Sequence, residues 1–565
     1  MPTSAATFTL LDWLVLAGYF VGVTALGLWV SRKIASSGGY FLGDRKLPWW
    51  VMVGQAFGTG THAENPVGQA GATFQGGFAT IWYQWKNILI TPFYWLMAPW
   101  YRRCERTTIG ELVEDRYGRG LAFVYTVFAM CYFVFNQGAM LKGAGKVVSM
   151  ATGGQMISPN GVVVAMTVAF LLYGFFGGLV ASAYTDFVQG FLIILMSFML
   201  IPAGLNVVGG FSGMRQNLPA HFFELYNEAS GVGAFMIAML TLNGLIGITA
   251  QPHILSMNAT GRDERAGRIG QTYGNMVKRF CTLGWALTGL IVAAMVLQRG
   301  ETLADREMAF GYASLHLLRP GMTGLMVACV LAANMSTCSN FMVNSGALFT
   351  RNLYRPYLRP AAGDRELLWV GRLSGFALTM LGVLFALTVD VVLDAFLFLE
   401  TLPTFLGIMI MGGILWRRAN RHGAMAAVGL SIMTYYMLNY RYAGELKLVY
   451  KWQAEPFAWA MLWGVAAFIL VSLLTPREPE ERIERFFDNM RRTSDGENLP
   501  EDRPKPLAAE RGQDLLLLDL PGWLTAERWR GFFHRYREDL VGFALAWLTV
   551  GLLILMAWGL MQIGK

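Results

Sequence analysis

Apolar stretches of bilayer-spanning length recur from one end of this chain to the other, and nothing constrains its fold more. A spanning helix needs about 20 predominantly apolar residues. Fourteen such segments begin near Leu10, Trp49, Phe78, Leu121, Gly161, Asp186, Val232, Tyr273, Met322, Leu368, Leu397, Ala424, Phe457 and Leu540. Of the 565 residues 55% are hydrophobic and 15% charged, too apolar a balance for a soluble domain of that size. In hydrocarbon the backbone must satisfy its own polar groups, so the expected fold is an all-α polytopic membrane protein.

The net charge of +8 does not mark a nucleic-acid binder, because the basic residues gather in alternate loops. Arg32, Lys33, Arg45 and Lys46 fill one loop, and Arg102, Arg103, Arg106, Arg116 and Arg119 the next but one. The pattern resumes at Arg262, Arg265 and Arg268, at Arg351, Arg355, Arg359 and Arg365, and at Arg417, Arg418 and Arg421. With fourteen spans the alternation places both termini outside, in a plasma (inner) membrane. One missed helix would invert each later loop, so the alternation also supports the count. Asp12 and the lack of a basic N-terminal region imply that the first segment stays as a helix. Cys104, Cys131, Cys281, Cys329 and Cys338 are odd in number and scattered through apolar segments, which suits small core residues. No Walker lysine loop, glycine-rich dinucleotide turn or paired-histidine zinc motif occurs, so neither ATP-driven pumping nor an enzyme is expected.

One long polar stretch, 476–537, falls on the basic side. The segment from Glu480 to Phe487 has the pattern of an amphipathic helix. The segment from Thr493 to Gly512 is rich in Pro, Glu, Asp and Arg and reads as a flexible linker. From Trp523 to Arg537, aromatic residues alternate with arginine, which suits a helix lying in the membrane interface.

Two features point to transport. Ala332 to Asn340 reads Ala-Ala-Asn-Met-Ser-Thr-Cys-Ser-Asn inside a long apolar stretch. At helical spacing Ala333, Ser336 and Thr337 share one face, as do Ser336, Ser339 and Asn340. Neutral oxygens without thiolate or nitrogen-rich ligands suit a hard monovalent cation; the plainer alternative is helix packing by small residues. The second feature is a pair of broken segments. One carries Gly54, Gly58, Gly60, Thr61, His62, Glu64, Asn65 and Pro66, the other Asn243, Gly244, Gly247, Gln251 and Pro252. Interruptions at matching places in two halves suggest an inverted-repeat transporter. The chain then divides into a leading helix and loop (1–47), a transporter core (48–416), two peripheral helices (417–475), a polar loop (476–537) and a last helix (538–565).

These residues also carry a family resemblance. The segments Tyr40 to Trp50, Thr107 to Leu112 with Arg116-Tyr117-Gly118, Gly177 to Gln189, and Ala332 to Ser339 resemble the sodium/solute symporters. That family includes the sodium/glucose, sodium/proline and sodium/sialic acid cotransporters. The likeness spans roughly Trp13 to Leu474, and the helix count is most similar to the sodium/glucose branch. It implies a LeuT-like five-plus-five inverted repeat and a shared sodium site. That site would use carbonyls of Gly58 and Thr61, a carbonyl of Ala333, and the hydroxyls of Ser336 and Thr337. A further sodium site, found in some members, implies Asp186, Ser336, Ser339 and Asn340, with Asn340 standing where serine is usual. Asp186 has a second reading, as a cap on the start of its helix.

For the substrate, His62, Glu64 and Asn65 on the broken helix, Gln84, Lys86 and Asn87 on the next, and Gln137 on the third core helix are candidates. Glu400 and Thr401 are candidate gate residues. Amides and carboxylates suit hydroxyl recognition, so a sugar or polyol is the favoured solute, with a carboxylate or amino acid as the alternative. Lys86 would pair with Glu64 in the first case and receive a substrate carboxylate in the second. The expected activity is sodium-coupled uptake of a small polar organic solute by alternating access; proton coupling and a transporter-like membrane sensor are the other readings. Sodium ions and the lipid bilayer are the expected partners, with no nucleic acid.

Overall fold

The computed structural model describes residues 8–32, 36–152, 158–228, 232–388, 392–447, 449–491 and 514–565. The linker 493–512 therefore lies outside the described residues, as does Lys33.

Among the described residues the fold is an α-helical bundle of fourteen segments, eight of them with helices long and apolar enough to cross a membrane. The leading helix α1 (Leu10–Ser31) starts at a capping box, with the Thr9 side chain on the Asp12 amide and Asp12 returning to Thr9. Next comes α2, which is broken, running Trp49–Thr59 and then Glu64–Gly76. After it, α3 closes with Thr91–Arg103 and α4 is Arg119–Ala151. One long run, Pro159–Phe198 continued by Leu200–Val208, turns at Gly178 into α5 (159–177) and α6 (179–208). The second half opens on another broken helix, α7, of Ala234–Gly247 and Ile254–Ala259. It continues through α8 (Glu264–Arg299), α9 (Met322–Leu348), α10 (Asp364–Ala386) and α11 (Val392–Leu415). Three peripheral helices follow: α12 (Arg421–Ala443), α13 (Ala454–Leu474) and α14 (Arg537–Leu560). Helices α2–α6 and α7–α11 are the two inverted repeats, and each opens on its broken helix.

Burial ranks the helices by role. Along its spanning window α9 is wholly buried, and α8 nearly so, whereas α1, α13 and α14 turn most of theirs outward. A lipid-facing helix has no reason to carry polar residues, so the polar groups concentrate on α2, α8 and α9. The turn at Gly178 is set by glycine. Its φ is 54° and ψ −153°, a region essentially closed to other residues, and a Cβ there would lie 2.5 Å from Tyr40. Gly178→Ala should therefore lower the unfolding midpoint of the detergent-solubilised protein, by an amount reflecting about 1–3 kcal/mol of strain. An unchanged midpoint would remove this account of the turn.

The ends on the basic side are tied by arginines. Arg116 donates to the carbonyls of Gly413, Ala419, Trp416 and Arg417 at 2.8, 2.9, 3.1 and 3.2 Å, closing the C-terminus of α11. Arg103 meets Glu264 through Nε and Nη2 at 2.6 and 3.1 Å and reaches the Met490 carbonyl at 3.2 Å. Met490 belongs to a helix, Glu480–Arg491, that buries Ile483, Phe486 and Phe487, as its sequence pattern requires. The aromatic stretch near Trp523 differs from the expected continuous helix. It forms short turns at Leu520–Leu524, Ala526–Trp529 and Phe532–Arg535, separated at Gly531, where φ is +66°. Leu524 and Phe533 stay exposed there, so the aromatic face survives without the helix.

Candidate ion and substrate sites

The break in α2 frees backbone groups, and side chains from two other helices and from α2 itself take them up. Asn334 Oδ1 on α9 accepts from the Ala63 amide at 2.7 Å, and Asn65 Oδ1 accepts from the His62 amide at 3.1 Å. The ammonium of Lys278 on α8 donates to the Gly60 carbonyl. Non-helical backbone at membrane depth is tolerated only with such partners.

Beside the break lies the hydroxyl cluster. The Thr337 hydroxyl sits 3.1 Å from the Thr59 carbonyl, 3.3 Å from that of Ala333 and 3.5 Å from that of Gly58. Ser336 donates to Asp186 Oδ1 at 2.6 Å, and Thr59 to Asp186 Oδ2 at 3.1 Å. Gly58 leaves no spare room, since a Cβ there would lie 2.9 Å from Ser336 Oγ and 3.0 Å from Asp186 Cβ. Thr61 Oγ1 is buried with no hydrogen-bond partner. Five sequence candidates, Gly58, Ala333, Ser336, Thr337 and Asp186, thus meet where α2, α6 and α9 touch. Asp186 is about two turns beyond the Gly178 turn, too deep in its helix to cap it. Ser339 pairs with Ser182 at 2.9 Å, a partner the sequence reading did not name. Asn340 turns its Oδ1 to Asn344, at 2.7 Å.

On the other side of the break is a polar cavity of about 60 Å³. At about 10–15 Å³ per water it has room for roughly four to six waters, so an organic solute enters only when the helices part. Of the substrate candidates, His62 and Asn87 line it, together with Glu400. The rest stand behind the wall. Glu64 lies against His62, and Lys86 against Glu400 rather than Glu64. Gln84 offers its carbonyl to Arg279 at 3.4 Å, and Gln137 donates to the Cys338 carbonyl at 3.4 Å. Thr401 accepts from Asn243 Nδ2 at 3.4 Å, and Thr404 donates to the Asn243 carbonyl at 2.9 Å, which joins α11 to the first half of α7.

The model of the sodium:solute symporter family matches residues 40–430. The chain belongs to this family. Its relatives include the osmoregulated proline transporter of Bacillus subtilis, 28% identical over 84% of this chain and 96% of the relative. The sodium/glucose cotransporter of Vibrio parahaemolyticus is 24% identical, covering 75% of this chain and 84% of its own. Among solved structures, a Na+-coupled sialic acid symporter in a substrate-bound outward-open state superposes with a TM-score of 0.69 at 18% identity, covering 83% of this chain and 99% of that one. These comparisons show a sodium-coupled, multi-pass symporter with the LeuT-like fold, a transporter and not an enzyme.

In this symporter the cavity draws much of its polar lining from α7 and α8, on which the sequence reading placed no substrate candidate. Gln251 and His253 come from the break in α7, and Gln271, Asn275, Lys278 and Arg279 from α8. Lys278 and Arg279 were findable: adjacent bases deep within an apolar span are costly and call for a function. Among the described residues neither forms an ion pair with a carboxylate. Arg279 is fully buried, and its Nε has no hydrogen-bond partner.

Proposed function

We propose that this symporter couples sodium entry to uptake of a small carboxylate-bearing solute across the plasma (inner) membrane, with both termini outside. The observation that carries the solute class is a count of buried charge. Lys278, Arg279 and Glu400 line one cavity, and Lys86 and Glu64 lie behind its wall against Glu400 and His62, so three cations stand near two acids. An uncompensated cation at membrane depth is costly, and a substrate carboxylate balances it. The sequence favours a neutral solute through its amides and carboxylates, and Arg279 on α8 adds a guanidinium to the cavity wall that suits a carboxylate. Relatives named for proline and for glucose carry the two solute classes, so a polyol held by Asn87, Gln251 and Asn275 is the second reading.

Sodium is held by the carbonyls of Gly58, Thr61 and Ala333 and the hydroxyls of Ser336 and Thr337, and draws α2 against α9; the Gly58 and Ala333 carbonyls within 3.5 Å of the Thr337 hydroxyl support this set. A second sodium uses Asp186, Ser336 and Ser339, with Asn340 joining once it leaves Asn344. The first ion fixes the broken helix that walls the cavity, so sodium and solute favour the same closed arrangement. Each charge crossing about 100 mV yields roughly 2.3 kcal/mol, or between one and two decades of accumulation per ion at about 1.4 kcal/mol per decade. The transporter core (48–416) carries this cycle. Glu400 and Thr401 act as gate residues that tie α11 to the cavity.

The test is uptake into proteoliposomes under an inward sodium gradient, with carboxylates and polyols compared. Sodium-dependent accumulation of a carboxylate, collapsed by dissipating the gradient, is expected. Accumulation of a polyol alone would reverse the solute class, and uptake driven by protons without sodium would overturn the coupling.

A further inference from the structure

The leading helix α1 stands outside both repeats, yet it touches both helices that carry the hydroxyl cluster. Its inward stripe buries Asp12, Leu16, Val23 and Gly27. Asp12 is 1% exposed, and all its bonding capacity toward protein is engaged at two places. Oδ2 accepts from the Thr9 amide at 2.8 Å and the Thr9 hydroxyl at 2.6 Å. Oδ1 accepts from the amides of Gly321 at 2.8 Å and Gly324 at 2.7 Å. Those amides open α9, whose own cap residue, Gly321, has no side chain to offer. Asp12 therefore does across helices what a capping side chain does within one. The crossing is close, because a Cβ on Gly324 would lie 2.4 Å from the Asp12 carbonyl oxygen.

Two turns further along α1, the Tyr19 hydroxyl accepts from Gln189 Nε2 at 2.8 Å and lies 3.8 Å from the Met335 sulfur. Gln189 is fully buried on α6, one turn from Asp186. Met335 precedes Ser336 on α9. A single phenol thus bridges the two helices beside the carboxylate and the hydroxyls.

We propose that α1 sets the relation of α9 to α6, and that Tyr19 and Asp12 are positioning residues for sodium affinity. Asp12 fixes α9 along its axis, and Tyr19 fixes its distance from α6. Both act through helices whose oxygens must stand within about 0.5 Å of the binding geometry. The proposal rests on the sodium site at Ser336 and Thr337.

The deciding experiment uses the full chain in proteoliposomes and reads the sodium half-saturation of uptake alongside the sodium-free melting temperature. Tyr19→Phe and Gln189→Leu should each raise half-saturation about threefold to tenfold, below the ~10–100-fold typical of groups bonded directly to metal ligands. The double variant should be no worse than the poorer single one, while maximal rate and sodium-free melting stay unchanged. Asp12→Ala should act in the same direction; if it fails to fold, the Tyr19 variant still decides. Unchanged half-saturation in Tyr19→Phe, additive effects with Gln189→Leu, or a loss explained by lower sodium-free melting would overturn the proposal. Ser336→Ala with Thr337→Ala serves as the control. Retained sodium affinity in that control would mean that the ion site itself is misplaced; its loss beside an unaltered Tyr19→Phe would remove only the role of α1.

Discussion

Ser336→Ala combined with Thr337→Ala is expected to abolish sodium-driven uptake and to weaken sodium binding by at least about a hundredfold, past the ~10–100-fold range of outer-shell changes. Two of the five oxygens proposed to hold the ion disappear, and a hard cation such as sodium gains nothing from the methyl groups that replace them. Folding should be spared. Apolar side chains at membrane depth carry no insertion penalty, and hydrogen bonds between membrane helices are worth on average only about 0.6 kcal/mol. Asp186 would keep Thr59 as a donor. Sodium-induced thermal stabilisation and uptake at graded sodium measure the effect; full sodium affinity in the double variant would rule out this site.

The second large effect concerns the solute. Lys278→Met and Arg279→Gln should each cut uptake of a carboxylate roughly tenfold to a hundredfold, since a hydrogen bond to a charged group is worth about 1.5–3 kcal/mol and a decade costs about 1.4. Sodium half-saturation should shift little in Arg279→Gln, because the proposed ion ligands lie on α2, α6 and α9, whereas Lys278→Met also frees the Gly60 carbonyl in the α2 break and should weaken sodium as well. Met and Gln keep the unbranched stems of the side chains they replace while removing the charge, and neither strands an acid, because Glu64 and Glu400 have His62 and Lys86 beside them. Measuring uptake of a carboxylate and a polyol on the same preparations separates the two solute readings. Equal losses for both would point to general damage, and an intact carboxylate rate would remove the two cations from recognition.

What the sequence made legible follows the reach of its signals. The apolar helices and the two breaks are local, written in hydropathy runs and in glycine and proline, and both are present in the fold. The hydroxyl cluster was legible for the same reason, since helical spacing alone puts Ser336 and Thr337 on one face. Pairings across helices were not. Lys86 stands 22 residues from Glu64 in the sequence yet lies against Glu400, which is 314 residues away. Asp186 sits near the start of an apolar run, and only the Gly178 turn, which lengthens α6 backwards, shows it to be internal. Lys278 and Arg279 were masked by their neighbours: Arg262, Arg265 and Arg268 precede them, so a loop-by-loop reading of charge absorbed them into the basic side.

Arg116 carries a consequence for how the chain is made. Its guanidinium closes the end of α11, and its acceptors lie 297 to 303 residues later in the sequence. At roughly 5–20 residues per second of synthesis, this arginine waits on the order of 15–60 s for its partners to emerge. During that interval it must be held by water or lipid headgroups, and the first half of the core stays unfinished. The tie between the first repeat and the end of α11 can therefore form only after both repeats have been synthesised.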